Sequence, residues 1–422
     1  MILMSERART TLLVFLVVLS IILSFFMWYG MTWPYVSSPT GNVQEISPAI
    51  LLNILKPEKI IINFGGTTHT TMLENNSFDA SWREFQNIVF SDSGNPTTVT
   101  ETEFMNAMSY RSIMYMFAFP IPLSYFNDAY GKEINIPVDT VKDVIILAGN
   151  SPSFYIYDGF DKYIRMNMGY KNNGIETIIS VKEDNAPLYS TAGDLGFTDK
   201  MHYDVLMPLD ISKIDIPVIG VRKPDNIEMN TLVSKFFDSG SMVRRINEVS
   251  GDTVFTDGER GLKIYTDGRL EYTYSATSSA RLDDVTSIKI ATEFLSRYIT
   301  NMNNVSLGGI VEGKDGYTIN YNLRYNGLPV YSRQYGYPFI VEVKGKEVVS
   351  FKTAGLDFMP LGSSTRIFVG ALDAMDASLA KGIEYWESLD MCYVVDMGKV
   401  RAAWRASDGE HTVYVDMEND NM

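Results

Sequence analysis

Cysteine is all but missing. Cys392 is the only one in 422 residues, so no internal disulfide can form. That excludes the small disulfide-framework class and leaves the thiol, between Met391 and Tyr393, as a small hydrophobe. Histidine is nearly as scarce. His69, His202 and His411 stand far apart, with no i, i+4 pair and no Cys/His cluster, so no helical zinc site and no zinc ribbon is written here. The chain also lacks a Gly-x-Ser-x-Gly elbow, a phosphate loop and a dinucleotide fingerprint. Ser378-Leu-Ala-Lys381 repeats the Ser-x-x-Lys string of serine acyltransferases, but its Ser-Asp-Asn and Lys-Thr-Gly companions are absent. The sequence therefore reads as non-enzymatic, with no metal and no cofactor. Carboxylates are plentiful without any pair standing out, which keeps an anchored wall hydrolase as an alternative.

Basic residues are in deficit, 36 against 51 acidic ones, for a net charge of −15. Such a surface repels nucleic acid. Charge of either sign is missing altogether from Thr10 to Trp33, 24 residues. As a helix this stretch is roughly 36 Å long at 1.5 Å per residue, enough for a hydrocarbon core of ~30 Å. Arg7 and Arg9 precede it and no charge follows until Glu45, which places a short tail (1–9) in the cytoplasm and the bulk of the chain outside. Trp28, Tyr29 and Trp33 sit where rings favour the membrane–water interface. A cleaved signal peptide is the competing reading. Against it, the apolar run exceeds a signal core, and no small-residue cleavage site follows.

Beyond a stalk at 34–44, the expected fold class is α+β, a multi-domain extracytoplasmic region with antiparallel sheets. Three domains are read, at 45–220, 221–356 and 357–422. In the first, the pattern predicts helices over Pro48–Leu55 and Ser81–Val89. Strands are expected from Pro57 to Phe64 (ended by Gly65 and Gly66), then Ser112–Phe119 (stopped by Pro120 and Pro122), Val141–Leu147, Ser153–Tyr157, Tyr163–Met166 and Thr177–Val181. In the second, a short helix over Asn230–Phe237 leads to a three-strand meander. Its turns carry Thr256-Asp257-Gly258 and Thr266-Asp267-Gly268, since Asp-Gly suits tight hairpins whose two central residues both take positive φ. A helix over Asp284–Met302 and four antiparallel strands follow. The third region repeats that plan with a helix over Val369–Ala380, extended by Tyr385–Leu389, and a hairpin turning at Asp408-Gly409. The second and third regions thus read as two related helix-plus-sheet modules.

These features, taken in order, resemble the YycH family. The matching positions are the N-terminal anchor, Lys56-Pro-Glu-Lys-Ile-Ile61 and Phe119-Pro-Ile-Pro-Leu123. They continue with Phe236-Phe237-Asp238, Ser241-Met-Val-Arg-Arg245, and Phe255-Thr256-Asp257-Gly258-Glu-Arg260-Gly-Leu262 leading to Leu270-Glu271-Tyr272. Ala403-Trp404-Arg405 with Val413-Tyr-Val-Asp416 resembles the closing hairpin of the YycH and YycI proteins. Two departures, Thr273-Tyr274 where the family has Asn-Pro and a tail ending at Met422, mark a divergent member.

The resemblance implies a membrane-anchored extracytoplasmic regulator of the WalK/WalR two-component system, which controls cell-wall metabolism in Firmicutes. Its partners would be a WalK-like sensor histidine kinase, a YycI-like protein and the lipid bilayer, with no nucleic acid. It implies no active site. Family members act through the transmembrane helix, and close helix packing in lipid uses small and hydroxyl residues. Ser20, Ser24 and Gly30 are the candidate contacts, Ser20 and Ser24 being four apart on one face. The motif residues Phe237, Asp238, Thr256, Asp257, Gly258, Arg260, Leu262, Glu271, Tyr272 and Trp404 are expected to serve the fold. The alternative class is an anchored binding module for wall polymer or peptide, which would show an exposed aromatic groove.

Overall fold

A computed structural model describes residues 48–91, 94–150, 153–168, 172–237, 242–275, 280–299, 301–365 and 369–418. The apolar segment 10–33 lies outside them, and no helix among the described residues is long and apolar enough to cross a membrane. Residues 45–422 form one compact unit. It is a mixed α+β structure built on two large, mainly antiparallel sheets.

The first sheet contains β1 (Lys59–Gly65), β2 (Thr68–Thr71), β3 (Thr97–Thr98), β4 (Ser112–Pro122), β5 (Thr140–Leu147), β6 (Ser153–Tyr157), β7 (Tyr163–Asn167), β8 (Tyr189–Thr191) and β9 (Leu206–Pro208). Their order is β3-β7-β6-β5-β4-β1-β2-β8-β9. β1 is central because Ile60, Ile61 and Ile62 are all buried, a β-branched run covered on both faces. It ends where Gly65 (φ +102) and Gly66 (φ +67) turn into β2.

β4 does not stop at Pro120. It runs to Pro122 because its register against β5 breaks between Met116 and Ile121, so the first proline falls where pairing lapses.

Helices α1 (Pro48–Ile54), α2 (Asn75–Val89), α3 (Glu101–Asn106), α4 (Leu123–Tyr130), α5 (Gly174–Glu183) and α6 (Ala192–Leu195) accompany this sheet. α2 begins a turn and a half before the expected Ser81. Phe78, Trp82, Phe85 and Val89 recur at helical spacing and are all buried. Trp82 stacks on Phe85 at 4.8 Å, and Phe85 meets Tyr115 of β4 at 4.8 Å. The expected strand Thr177–Val181 is part of α5. Ile175 and Ile179, four apart, are its buried residues while Val181 is exposed, so helical periodicity outweighed β-branched propensity.

The second sheet joins β11 (Arg244–Asn247), β12 (Thr253–Thr256), β13 (Arg260–Ile264), β14 (Leu270–Tyr274), β15 (Val305–Glu312), β16 (Gly316–Tyr325), β17 (Leu328–Ser332), β18 (Phe339–Lys344), β19 (Glu347–Thr353), β21 (Ser388–Asp396), β22 (Lys399–Ser407) and β23 (Thr412–Asp416). The order is β11-β12-β13-β14-β19-β18-β16-β17-β21-β22-β23, with β15 beside β16. A separate pair is formed by β10 (Ile216–Val221) and β20 (Phe358–Thr365).

Three helices belong to this half: α7 (Asn226–Phe236), α8 (Asp284–Ser296) and α9 (Ala371–Leu379). α7 opens on a capping box in which Asp225 accepts from Glu228 N and Glu228 reaches back. α8 is capped by Asp283 and turns Ile288, Ala291 and Leu295 onto the sheet, where Thr292 Oγ1 meets Tyr321 Oη at 2.8 Å.

Tyr385–Leu389 does not prolong α9. Ser388 instead opens β21, which pairs in parallel with β17 and antiparallel with β22. Met391, Cys392, Tyr393, Val394 and Val395 are all buried, the pattern of a strand covered on both faces rather than of a helix.

Candidate functional site

Side chains alternate along β16. Tyr321 faces α8, so Asn322 and Arg324 carry their polar groups elsewhere: Arg324 Nη2 donates to Met72 O, just after β2, and to Gly327 O, both at 2.9 Å. Its guanidinium lies over the Phe78 ring of α2, 3.6 Å from the centroid. Tyr331 of β17 donates to Glu58 Oε1 at 3.0 Å. Lys59 Nζ pairs with Asp390 Oδ1 of β21 at 2.5 Å. The two sheets are thus stitched by polar contacts around a crevice of about 590 Å³, lined by β1, β4, β16, β17, β21 and β22 among others. That volume falls within the roughly 300–1,000 Å³ of small-molecule sites.

Charge of both signs lines this crevice. Lys59, Lys142, Arg324 and Arg405 face Glu58, Asp204, Glu387 and Asp390. Burial lowers the Arg324 guanidinium to about 9, with Asp79 and Glu58 opposing. Burial also works against the Arg405 charge. Tyr331, Glu58 and Asp390 outweigh it and hold that guanidinium above its ordinary value. Desolvation raises the Asp390 carboxyl, which is half-buried, but Lys59 and Arg405 outweigh it and hold it below the usual carboxylate range. Two members have unused hydrogen-bonding capacity. Both amide atoms of Asn322, and Nε and Nη1 of Arg324, are buried without a partner among the described residues.

Asp143, on β5 next to Lys142, is also buried, and its Oδ1 has no partner. Burial pushes its carboxyl up to about 7; Lys142 opposes and Asp204 reinforces. The folded value lies above the ordinary one, so the stability linked to this proton is complete below about pH 4 and is lost as pH rises through 7. Asp143→Asn is therefore expected to flatten the stability profile between pH 4 and 8 and to exceed the parent at pH 8. Urea unfolding at pH 5 and pH 8 checks this, and an unchanged pH slope contradicts it.

The three histidines remain separate. His69 is buried with Nδ1 against Asn63 Oδ1 at 2.7 Å, and burial lowers its pKa against the pull of Asp194. His202 is raised by its bond to Asp204, and His411 lies at the Asp408 turn. No group of three or more His, Cys, Asp or Glu that could hold a metal occurs among the described residues. Ser378 is buried, accepts from Trp386 Nε1 and donates to Met375 O, both at 2.9 Å. Burial pushes the Cys392 thiol up.

Ser20, Ser24, Gly30 and Asp238 lie outside the described residues. The other motif positions occupy turns and core. Asp257 Oδ1 accepts from Glu259 N and Arg260 N at the turn where Gly258 takes φ +101, and Thr256 Oγ1 donates to Arg260 O. Leu262, Tyr272 and Phe237 are buried, and Arg260 lies over Tyr274. Glu271 accepts from Tyr265 and Tyr335. Of the ten motif residues expected to serve the fold, Trp404 alone borders the crevice, with its indole N–H on Val369 O at 2.9 Å; the other family-matching runs bring Glu58, Lys59, Ile60, Arg405 and Tyr414 there. The sequence did not mark Asn322 or Arg324, and it marked Glu58 only as part of the Lys56–Ile61 run. The one available signal was the alternation Asn320-Tyr-Asn322-Leu-Arg324, polar on the face that a one-sided sheet would leave to solvent.

No curated protein matches this sequence. Residues 6–147, from the basic N-terminus through β5, match the family described as YycH protein, N-terminal domain. Among solved structures, the crystal structure of YycH from Bacillus subtilis is similar to this fold, with a TM-score of 0.60 at 14% identity over 86% of this chain and 96% of that one. Residues 6–147 thus carry the N-terminal domain of the YycH family, and the chain shares its fold with a YycH structure across most of its length.

Proposed function

We propose that the protein is a single-pass membrane-anchored extracytoplasmic regulator of a WalK-like sensor histidine kinase, acting by protein–protein contact and without catalysis. The family match over residues 6–147 carries this reading, because it spans the uncharged segment 10–33 together with the first strands of the outer region. The helix at 10–33 would pack beside the kinase helices through Ser20, Ser24 and Gly30. The outer domains (45–220, 221–356 and 357–422, the last two as related modules) would sense or assemble with a YycI-like partner. Regulation requires different contact energies with the kinase's two states, since equal affinity for both shifts nothing.

The expected result is that a histidine kinase co-purifies with the full-length protein from native membranes. Replacing residues 10–33 by an unrelated spanning helix should abolish recovery. Recovery by both forms would assign the contact to the outer domains; recovery by neither would sink the regulator reading.

A further inference from the structure

We propose that the crevice between the two sheets binds a short peptide with free termini. The volume, about 590 Å³, suits such a ligand, and the lining chemistry narrows the class. A nucleotide or other polyanion would meet Glu58, Asp204, Glu387 and Asp390, and a polycation would meet as many bases. A zwitterion satisfies both sets. A saccharide would call for an exposed aromatic platform; along this crevice Trp404, Tyr331 and Tyr189 are at most 9% exposed, and Tyr337 and Tyr414 are half-buried.

The unpartnered groups specify the peptide further. The Asn322 amide, 3% exposed, has its donor and its acceptor both free. A primary amide of that kind pairs with a peptide group, donating to its C=O and accepting from its N–H. Leaving such a buried group unpaired is costly, so a position like this is favoured for what it binds rather than for stability. Arg324, with Nε and Nη1 free, and Arg405 attract the ligand's carboxylate. Glu58 has one oxygen taken by Tyr331 and attracts the ammonium. The Asn322 amide is closed from the open crevice, and half-buried Tyr337 lies beside it over Gly308, held by a long 3.4 Å bond to Gly308 O. Peptide entry moves that ring.

This inference gives the outer region a ligand and stands apart from the kinase reading, whose co-purification test it leaves untouched. The test uses full-length protein in lipid nanodiscs and a pool of tripeptides randomised at every position, with binding followed by saturation-transfer NMR. Members of the pool with free termini should bind, and blocking either terminus should weaken them about tenfold, the scale of one charged hydrogen bond. Glu58→Gln should weaken them similarly. Asn322→Ala should weaken binding while leaving Tm unchanged or higher. The proposal is overturned if no member of the pool binds or if blocked pools bind as well as free ones. It is also overturned if Asn322→Ala lowers Tm with binding intact.

Discussion

Gly327→Ala is expected to destabilise the protein by more than about 3 kcal/mol, well beyond the penalty of about 1–2 kcal/mol for placing a side chain at positive φ. Gly327 holds φ +81 at the turn between β16 and β17, and a Cβ there would come 1.7 Å from Leu73 O. The clash is with backbone, so no rotamer change relieves it. The turn lies where the second sheet docks on the segment after β2, and Arg324 ties the same place by donating to Met72 O and Gly327 O. Relief therefore requires the two sheets to part. Gly336→Ala supplies the control. Gly336 has φ +80 with nothing within 4 Å of its Cβ position, so only the conformational penalty applies. Urea midpoints of both variants separate the two effects. Equal losses would mean that the approach to Leu73 carries no energy.

Trp404→Ala should cost about 3–5 kcal/mol, the range for truncating a fully packed aromatic. Trp404 is 1% exposed on β22, and its indole N–H satisfies Val369 O ahead of α9. Removal empties a large core volume and orphans that carbonyl. Trp404→Phe retains most of the packed area and loses the hydrogen bond, for about 1 kcal/mol. The same urea series reads both, and a loss under about 1 kcal/mol for the alanine variant would contradict its place in the core.

Local patterns were legible where one residue type dictates the backbone. The meander turns at Asp257-Gly258 and Asp267-Gly268 as expected, but φ is positive only at the glycines, +101 and +92, and not at the aspartates, so these are not the turns with two positive-φ residues that Asp-Gly suggested. The helix expected from Asp284 begins there, with Asp283 as its cap accepting from Thr286 N. Legibility failed where burial overrode propensity. Ile175 and Ile179 made a helix out of a β-branched run, and Ser388-Leu389, read as the end of a helix, opened the inner strand β21.

The candidate site was harder still to see. Glu58 and Asn322 are 264 residues apart, and nothing beside either in the chain points to the other. Nothing local marks a side chain whose partner lies across a sheet interface.

The sequence by itself determined the uncharged segment 10–33, the net negative charge and most strands and turns. Each of these depends on composition or on a period of a few residues. Only the tertiary structure decided that strands from residue 244 to residue 416 share one sheet, and that this sheet closes on the first around a charged crevice. The pairing of β17 with β21 and the contacts of Arg324 join residues distant along the chain, and their energies depend on burial that no local window contains.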